Sequence, residues 1–525
     1  MKSITKRKNG LRLLAATLAC AIAAAGLLAG CGGSDASAGG KTLVLGTTDY
    51  GVAAEDAGLN PHENYSGWSA VRYGVGETLF KFSNDMEPEP WLATGYEFID
   101  ETHCRIDLRE GVRFTSGRTM DAQAVKECLD DLLATNDRAP GDTKISSIEA
   151  SGDGKSIVVE TSEPCPALIN YLSDPYGAII DMQVGVSEDK NVSGTGPYKA
   201  TAVSDTEITL VPNTDYWNGT PKLDSIIVKT IEDGDTLTAA LQSGQINVSY
   251  GIPYASYPLF ENSSDYSISS CSTSRTFFVQ ANYASSVMQD DAVREALCMG
   301  VDKQSFIDTL LDGKGEAAKG PYPSSMTFGD NEVTASSYDP EGAKQILEQA
   351  GWTDIDGDGI REKDGQKLTI RWLTYPGRVE LPLLAESAQA TLAEIGIDVQ
   401  VNNTANHATV RTDTTAWDVY SSALVTAPTG DPEYFFSSTC LSDSPKNYGG
   451  YSNSQLDDLA EELHGTFDSS KRAELAVKMQ QTLLDDHGFL FVSHLEMGTV
   501  NKSSVTGVQA HPSDYYEITV DTDVN

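Results

Sequence analysis

Short strand patterns and amphipathic helix patterns alternate along residues 41–525, and this alternation constrains the fold more than any other feature. The run KTLVLGT at 41–47 is rich in β-branched residues, is followed by turn residues, and predicts a first strand. Two more strands are predicted at 105–108 and 156–161, with a helix at 121–135 between them. That helix begins with an aspartate cap and has apolar residues at helical spacing. The sequence therefore predicts a mixed α/β chain.

Three further helices carry clear terminal signals. Asp290 or Asp291 can cap a predicted helix that runs through Met299, and the helix at 339–350 opens with Asp-Pro. The helix at 383–395 ends in a glycine, and a strand follows at 397–401. No period of 20 to 50 residues repeats, which argues against a solenoid or a propeller.

The N-terminus has the order of residues that is typical of a bacterial lipoprotein signal. A basic start precedes an apolar run at 13–29, and this run ends within Leu-Ala-Gly-Cys at 28–31. The pattern predicts removal of signal peptide 1–30, a diacylglycerol on Cys31 and a flexible Gly/Ser-rich tether at 31–40. An uncleaved membrane anchor is the alternative, although the run is short for a bilayer span. We expect a protein on the extracytoplasmic face of the cell membrane, attached through lipid only.

The charge of the chain excludes several classes of partner. Removal of the signal takes five cations and no anions from a formal net charge of −39, which leaves −44. Such a surface repels nucleic acid and anionic lipid, so neither is expected as a partner. Because 40% of the residues are hydrophobic, the chain can still bury a large core and is not a disordered acidic segment.

The cysteines predict no specific disulfide. Six follow the lipid signal, without CxxC or metal-ribbon spacing: Cys104, Cys128, Cys165, Cys271, Cys298 and Cys440. An extracytoplasmic location permits disulfides, but the same residues can equally serve as small buried hydrophobes.

Two motifs suggest metal chemistry. Asp354, Asp356 and Asp358 resemble the start of a calcium loop, but the twelfth position is Gly365 rather than a carboxylate. We interpret this segment as an Asx-rich turn, with a calcium site as the alternative. His407, which follows the strand at 397–401, is retained as a weak candidate metal ligand.

The remaining histidines are interpreted as mostly surface or capping residues, since no HExxH is present. The chain also lacks GxSxG, the P-loop pattern and a dinucleotide GxGxxG, so we expect no enzyme.

Eleven short segments occur in a characteristic order. They are ETLF at 77–80, EPWLA at 89–93, LREGVRF at 108–114, DAQAVK at 121–126, GTGPY at 194–198, YWNG at 216–219, PKLD at 221–224, ALQSG at 240–244, DAVREAL at 291–297, YDP at 338–340 and AGW at 350–352. Each segment alone is weak, but together they are specific. With them the chain resembles the family 5 extracytoplasmic solute-binding proteins, the peptide and nickel receptors of ABC importers.

The resemblance implies an α/β, two-lobed periplasmic-binding-protein-like fold of type II, cluster C. It has an extra subdomain on lobe I and a hinge cleft that closes over solute. The implied segments are lobe I at 41–78, 191–274 and 496–525, the inserted subdomain at 79–190 and lobe II at 275–495.

The resemblance also implies where ligand is held. Peptide-binding members often hold the ligand amine with an aspartate whose position is Pro428 here, and a nickel-binding branch has histidine where this chain has Glu433. Because this chain differs at both positions, we do not expect it to make either of those ligand contacts. The candidate ligand-binding residues are Tyr65, Trp68, Ser69, Arg72, Tyr254, Tyr375, Arg378, Asp431, Glu433 and Tyr434. Arg72 and Arg378 could hold carboxylates, and the aromatics could pack on ligand, although each could equally be a surface side chain.

The predicted function is a lipid-anchored receptor that delivers a small solute to the permease and ATPase of an ABC importer. We expect a nickel-type metal chelate as cargo, with no resident cofactor, and a monomer. A short-peptide receptor is the alternative within this class. A surface-anchored hydrolase and a sensory or adhesive lipoprotein are the remote alternatives.

Overall fold

The computed structural model of the chain describes residues 40–48, 58–63 and 66–525. The predicted signal peptide, Cys31, the tether up to residue 39 and Tyr65 lie outside these ranges. Within them, no helix combines the length and the apolar character that crossing a membrane requires.

The strands and helices interleave as the sequence predicts. In chain order the strands are β1 (Thr42–Thr47), β2 (Phe80–Phe82), β3 (Pro88–Pro90), β4 (Ala93–Phe98), β5 (His103–Leu108), β6 (Ile145–Ala150), β7 (Ser156–Thr161), β8 (Tyr198–Val203), β9 (Glu207–Pro212), β10 (Ser225–Thr230), β11 (Val248–Tyr250), β12 (Tyr266–Ala281), β13 (Gly315–Ala317), β14 (Glu362–Lys363), β15 (Gln366–Lys367), β16 (Thr369–Thr374), β17 (Asp398–Asn403), β18 (Val419–Val425), β19 (Phe489–Lys502), β20 (Val505–Thr506) and β21 (Asp523–Val524).

The helices have the bounds α1 (Ser66–Arg72), α2 (Ala122–Thr135), α3 (Ala139–Thr143), α4 (Leu168–Tyr171), α5 (Gly234–Ser243), α6 (Pro258–Glu261), α7 (Asp291–Gly300), α8 (Lys303–Leu310), α9 (Pro340–Gln349), α10 (Glu380–Ala393), α11 (His407–Val410), α12 (Glu433–Phe435), α13 (Ser454–His464) and α14 (Ser469–Asp485). Single 3-10 turns lie at Pro175–Gly177, Tyr254–Ser256 and Asp330–Glu332, and a π-helical turn lies at Phe436–Cys440.

The predicted caps are confirmed. The Asp121 carboxylate accepts a hydrogen bond from the Ala124 N–H at 2.9 Å, and Asp290 and Asp339 cap α7 and α9 in the same way. Helix α10 begins at Glu380, three residues earlier than predicted. Pro382 is accommodated in its first turn, where a missing N–H costs no hydrogen bond.

One large sheet passes through the whole of the described unit. Its strand order is β17-β16-β18-β12-β19-β11-β1-β10-β9-β8, with β13 paired to β19 outside this path. We call the part built on β8 to β11 and β1 the first lobe, and the part built on β16 to β18 the second lobe. The long antiparallel strands β12 and β19 belong to both lobes. The mixed α/β fold class is thereby confirmed.

The ladder between β12 and β19 is interrupted twice, by a single-residue shift between Phe277 and Phe278 and by a longer break before Thr276. Ser272 pairs with Glu496 and Thr276 pairs with His494, so Thr273, Ser274 and Arg275 face the single residue Leu495. We call residues 273–275 the hinge bulge, because a bulge breaks regular pairing and bends the strand. The predicted lobe boundaries at 274/275 and 495/496 fall at this bulge.

Separate cores support the two lobes. Buried residues such as Leu45, Ile106 and Val228 form the core of the first lobe and its subdomain, where β4 to β7 make a four-stranded sheet. A second core, with Trp372 and Leu384, lies on the second-lobe half of the large sheet. The six cysteines of the described part are free thiols, and all but Cys271 are buried, in agreement with their interpretation as small core residues.

Candidate functional site

A narrow crevice lies where the two lobes meet at the hinge bulge. First-lobe residues form one wall, second-lobe residues form the other, and the bulge forms the floor. The lining residues are Trp68, Met86, Thr273, Ser274, Arg275, Val425, Ala427, Pro428, Met497, Pro512, Ser513, Asp514 and Tyr515. The free volume is only about 20 Å³, so the lobes must separate before a small solute can enter.

The bulge is held to both neighbouring chain segments. The Thr273 hydroxyl donates to the Leu495 carbonyl at 2.9 Å, and the Ser274 hydroxyl donates to the Ala427 carbonyl at 3.3 Å. These bonds connect the bulge to β19 and to the segment that follows β18. The next residue, Arg275, also lines the crevice.

Arg72, a predicted ligand-binding residue, lies behind the first-lobe wall. Its side chain is 2% exposed, its Nη2 donates to the Asp514 carboxylate at 2.6 Å, and its Nε lies 3.0 Å from the Glu517 carboxylate. Burial and the nearby Asp514 carboxylate raise the pKa of Glu517, whereas Arg72 opposes the shift. Arg72 therefore holds the C-terminal segment against α1, and its role in ligand binding stays a prediction.

Three aromatic rings are stacked in the second lobe. The rings of Tyr375 and His407 lie 4.1 Å apart and nearly parallel, and Tyr420 continues the stack. The His407 Nδ1 and the Tyr420 hydroxyl are 2.8 Å apart. Burial and the positive charge of Arg411 lower the pKa of His407, so its imidazole is neutral near neutral pH. A neutral imidazole is the form that can bind a metal ion.

The other predicted residues near the crevice are distributed over both lobes. Trp68 lines it and packs against Tyr515, with ring centroids 5.6 Å apart, while Ser69 is buried in α1. The Tyr254 hydroxyl donates to the Glu496 carbonyl at 2.8 Å, beside the bulge. Burial raises the pKa of Tyr375, and the positive charge of Arg378 opposes this shift. The charge of Arg378 therefore lies near the Tyr375 ring.

Asp431, Glu433 and Tyr434 lie away from the crevice. Asp431 forms a buried ion pair with Arg472, and Glu433 bonds His464 at 2.7 Å on the wall of a different cavity of about 540 Å³. Tyr434 accepts a hydrogen bond from Lys446 at 3.1 Å. The structure does not bring these three residues together with the hinge bulge. Pro428, three residues before Asp431, does line the crevice.

A larger cavity of about 580 Å³ is lined by residues of the first lobe and by residues 81–91 of the adjoining subdomain. Its most unusual group is Glu77, which is 0% exposed and accepts hydrogen bonds from Thr195, Tyr216 and Trp217. Burial raises the pKa of Glu77 to about 7, although the three donors oppose the shift. The contacts tie the segments that precede β2 and β8 to the 213–219 turn and give Glu77 a structural role.

Glu77→Gln is expected to make folding stability less dependent on pH. The folded chain holds the Glu77 proton more tightly than the unfolded chain does. The contribution of Glu77 to the free energy of unfolding is therefore lost as pH rises from 4.5 to about 7. Between about pH 5 and about pH 8, the free energy of unfolding should fall more in wild type than in Glu77→Gln, by up to about 3 kcal/mol. Urea unfolding at both pH values measures this difference. The exposed control Glu97→Gln should keep the wild-type dependence, and an unchanged slope in Glu77→Gln would contradict the assignment.

The aspartate-rich loop after α9 adopts the predicted Asx-turn bonds. Asp354 accepts from the Gly357 and Gly359 N–H groups, and Asp356 accepts from Asp358 N–H. Oxygens of these three aspartates and Glu362 lie within 4.8 Å of one another, a donor set that suits a hard cation. The Lys367 ammonium also contacts the carboxylates of this loop. The calcium alternative stays a prediction.

The prediction that the remaining histidines are mostly at the surface is wrong for two of them. His494 is 0% exposed and lies between Thr276 and Asp330, and His62 is 2% exposed beside Asp131. Their hydrogen bonds to polar neighbours make burial tolerable.

Arg275, Met86 and Met497 line the crevice but were not predicted from the sequence. A signal for Arg275 exists, because the Ser-Thr-Ser-Arg run at 272–275 interrupts the strand pattern before a continuous apolar segment. The two methionines carry no such signal, since an isolated methionine is usually a core residue.

The similarity to known proteins covers almost the whole chain. A model of the bacterial extracellular solute-binding proteins, family 5 Middle, matches residues 87–447. The nickel-binding protein NikA of Staphylococcus aureus is 28% identical over 502 residues, which cover 95% of this chain and 97% of that protein. The oligopeptide-binding protein AppA of Bacillus subtilis is 26% identical over 435 residues and 79% of each chain.

Solved structures agree with these matches. The nickel ABC transporter structure from Bacillus halodurans has a TM-score of 0.81 and 29% identity, covering 92% of this chain and 100% of that chain. S. aureus NikA in complex with Ni(L-His)2 has a TM-score of 0.72 and 26% identity, covering 93% and 100%. The two-lobed fold and the prediction that the chain is not an enzyme are both confirmed. The chain belongs to the family 5 bacterial extracellular solute-binding proteins, the substrate-binding proteins of ABC importers.

Proposed function

We propose that the chain is a lipid-anchored receptor that captures a nickel-type metal chelate in the interlobe crevice and delivers it to an ABC permease and its ATPase. The observation that carries the choice of ligand is Pro428 on the crevice wall. Its side chain offers no carboxylate to a ligand amine, where peptide-binding members of the family often have an aspartate. Recognition of a peptide N-terminus is thereby disfavoured.

The crevice chemistry supports a compact chelate. Thioether sulfurs of Met86 and Met497 and the rings of Trp68 and Tyr515 give it soft, polarisable walls. Such a lining suits an organic complex whose metal is already coordinated, so the metal is cargo and the receptor needs no resident cofactor.

The relatives add support for nickel. S. aureus NikA, named as nickel-binding, matches 95% of this chain, and the nickel transporter structure from B. halodurans has a TM-score of 0.81. The alternative is a short-peptide receptor, which the similarity to oligopeptide-binding AppA favours.

Anchoring and location are part of the proposal. A diacylglycerol on Cys31 would hold a monomeric receptor at the extracytoplasmic face of the cell membrane, beside its permease. A single acyl chain binds a membrane only weakly, so stable anchoring needs a second one. A diacylglycerol provides two acyl chains on one residue.

Native mass spectrometry of the mature protein, purified gently from its own host, tests the choice of ligand. We expect an added mass with the isotope pattern of nickel, lost after treatment with EDTA. Separate removal of nickel from the growth medium should abolish the adduct without unfolding the protein. A ladder of peptide masses that EDTA does not remove would contradict the metal-chelate proposal and favour the peptide alternative.

A further inference from the structure

The cavity of about 580 Å³ beside Glu77 is separate from the interlobe crevice, and capture of cargo does not use it. We call it the subdomain cavity. Its lining comes from residues 81–91 of the subdomain, from residues 216 and 218, and from residues 511–521 of the C-terminal segment. Cavities of this size are typical of sites for small organic molecules.

Three aromatic rings lie on the wall of the subdomain cavity. Trp91, Tyr216 and Tyr516 are each half-buried. The ring centroids of Trp91 and Tyr516 are 5.7 Å apart and their planes are 87° to each other, so these two rings form a corner. In the part of the chain that the structure describes, no arginine or lysine lies over any of the three rings. A cation from outside the protein can therefore use the attraction that an aromatic face offers.

Two of the rings are held in position by hydrogen bonds. The Tyr216 hydroxyl donates to the Glu77 carboxylate at 2.7 Å, and the Tyr516 hydroxyl accepts from the Phe82 N–H at 2.9 Å. The His511 ring also packs on Tyr516, with centroids 4.8 Å apart. Burial lowers the pKa of His511 to about 4, so this ring is neutral near neutral pH and adds no positive charge. Rings that are fixed in advance lose little entropy when a ligand arrives.

The charges on the lining also favour a cation. Asp85, Glu89 and Asp521 bring three exposed carboxylates to the subdomain cavity, and Lys81 brings one ammonium group. Among the described residues, no basic group lies within 4.0 Å of the Asp85 or Glu89 carboxylate, whereas Asp521 lies 3.6 Å from Lys222. The negative charge of this lining therefore exceeds its positive charge, and it attracts a cation.

We propose that the subdomain cavity is a second ligand site, which binds a small organic cation against the rings of Trp91, Tyr216 and Tyr516 and beside the exposed carboxylates of the lining. An organic cation combines positive charge with apolar surface and can use both parts of this lining. A bare metal ion cannot, because ring faces supply no ligand atoms of the usual kind. The proposal is independent of which cargo the interlobe crevice takes.

Two chain segments line both the subdomain cavity and the interlobe crevice. In the first segment, residues 83–85 line the cavity and Met86 lines the crevice. In the C-terminal segment, Tyr516 lines the cavity and residues 512–515 line the crevice. A cation that orders these segments from the cavity side therefore also stiffens the first-lobe wall of the crevice.

The test compares choline with neohexyl alcohol, in which a tert-butyl group replaces the trimethylammonium group. The two probes have the same shape, and only choline is charged. Titration calorimetry on the mature protein measures the affinity for each. We expect wild type to bind choline at least about 5-fold more tightly than neohexyl alcohol. Equal affinity for the two probes, or no binding of choline, would overturn the proposal.

Variants of the lining test where choline binds. Trp91→Leu removes one ring and should weaken choline binding about 3- to 30-fold. The double variant Asp85→Asn with Glu89→Gln should weaken it about 2- to 5-fold at low salt and less at high salt, because salt screens exposed charges. Glu110→Gln, which removes an exposed carboxylate elsewhere on the subdomain, should bind choline as wild type does.

Circular dichroism checks that each variant is folded. Removal of exposed carboxylates leaves the core unchanged, so the double variant decides the question even if Trp91→Leu does not fold. If the folded variants of the lining all bind choline as tightly as wild type, choline binds elsewhere and the assignment of the subdomain cavity is wrong.

Hydrogen–deuterium exchange tests the link between the two linings. Saturation with choline should slow amide exchange in residues 81–91 and 511–521, whereas β16 in the second lobe should keep its rate. If choline binds in the subdomain cavity but the exchange of residues 512–515 is unchanged, the ligand does not stiffen the crevice wall and the link is wrong.

Discussion

Replacing Arg472 with methionine is expected to lower the free energy of unfolding by about 3–5 kcal/mol, because it leaves a buried carboxylate without its cation. The Arg472 Nη2 donates to both Asp431 oxygens, and the side chains of both residues are 7% exposed. Its Nη1 also donates to the Leu463 and Thr466 carbonyls between α13 and α14. Chemical denaturation followed by circular dichroism measures the loss.

The control for Arg472→Met is Lys126→Met, which removes one partner of an ion pair on the exposed side of α2. This change should cost less than about 1 kcal/mol. The double variant Asp431→Asn with Arg472→Met should regain part of the stability, because no buried charge is then left unpaired. If Arg472→Met and Lys126→Met were equally stable, the ion pair between Arg472 and Asp431 would not stabilise the fold.

Replacing Cys31 with serine is expected to release essentially all of the protein from the membrane fraction. The serine hydroxyl cannot receive the thioether-linked diacylglycerol, so no acyl chains remain to hold the tether. Membrane affinity from two acyl chains is large, since each buried CH₂ contributes about 0.8 kcal/mol. Incorporation of labelled palmitate and fractionation of cells that express the full chain measure both effects.

Cys20→Ser provides a matched control, because it removes a thiol from the apolar run without changing the lipidation position. This variant should keep its label and stay with the membrane. If wild type takes up no labelled palmitate and keeps residues 1–30, the uncleaved anchor is the correct interpretation of the N-terminus.

The fold could be predicted well where local signals and burial agree. Helices α2, α7 and α9 each have an aspartate cap, and the strand at 156–161 has the predicted bounds. The start of α10 was misplaced because Pro382 resembles a helix terminator unless its place in the first turn is known. The bulge at 273–275 could not be placed from the sequence, since it depends on pairing with β19, more than 200 residues away.

The site was predicted less completely, and the reason is physical. The resemblance indicated Trp68 and the position of Pro428, which the structure places on the crevice wall. It also selected Asp431 and Glu433, whose carboxylates are taken up by Arg472 and His464. Sequence patterns identify residues that carry charge, but only the folded chain determines which charges are already paired.

The hinge bulge has a consequence for the timing of transport. Residues 273–275 form the floor of the crevice and also interrupt the pairing of the two long strands that belong to both lobes. Substitutions there should change the dissociation rate of cargo together with its affinity, because release requires the same segment to rearrange. Residence time would then be set at the floor of the crevice, and the permease would act on that one segment when it pulls the lobes apart.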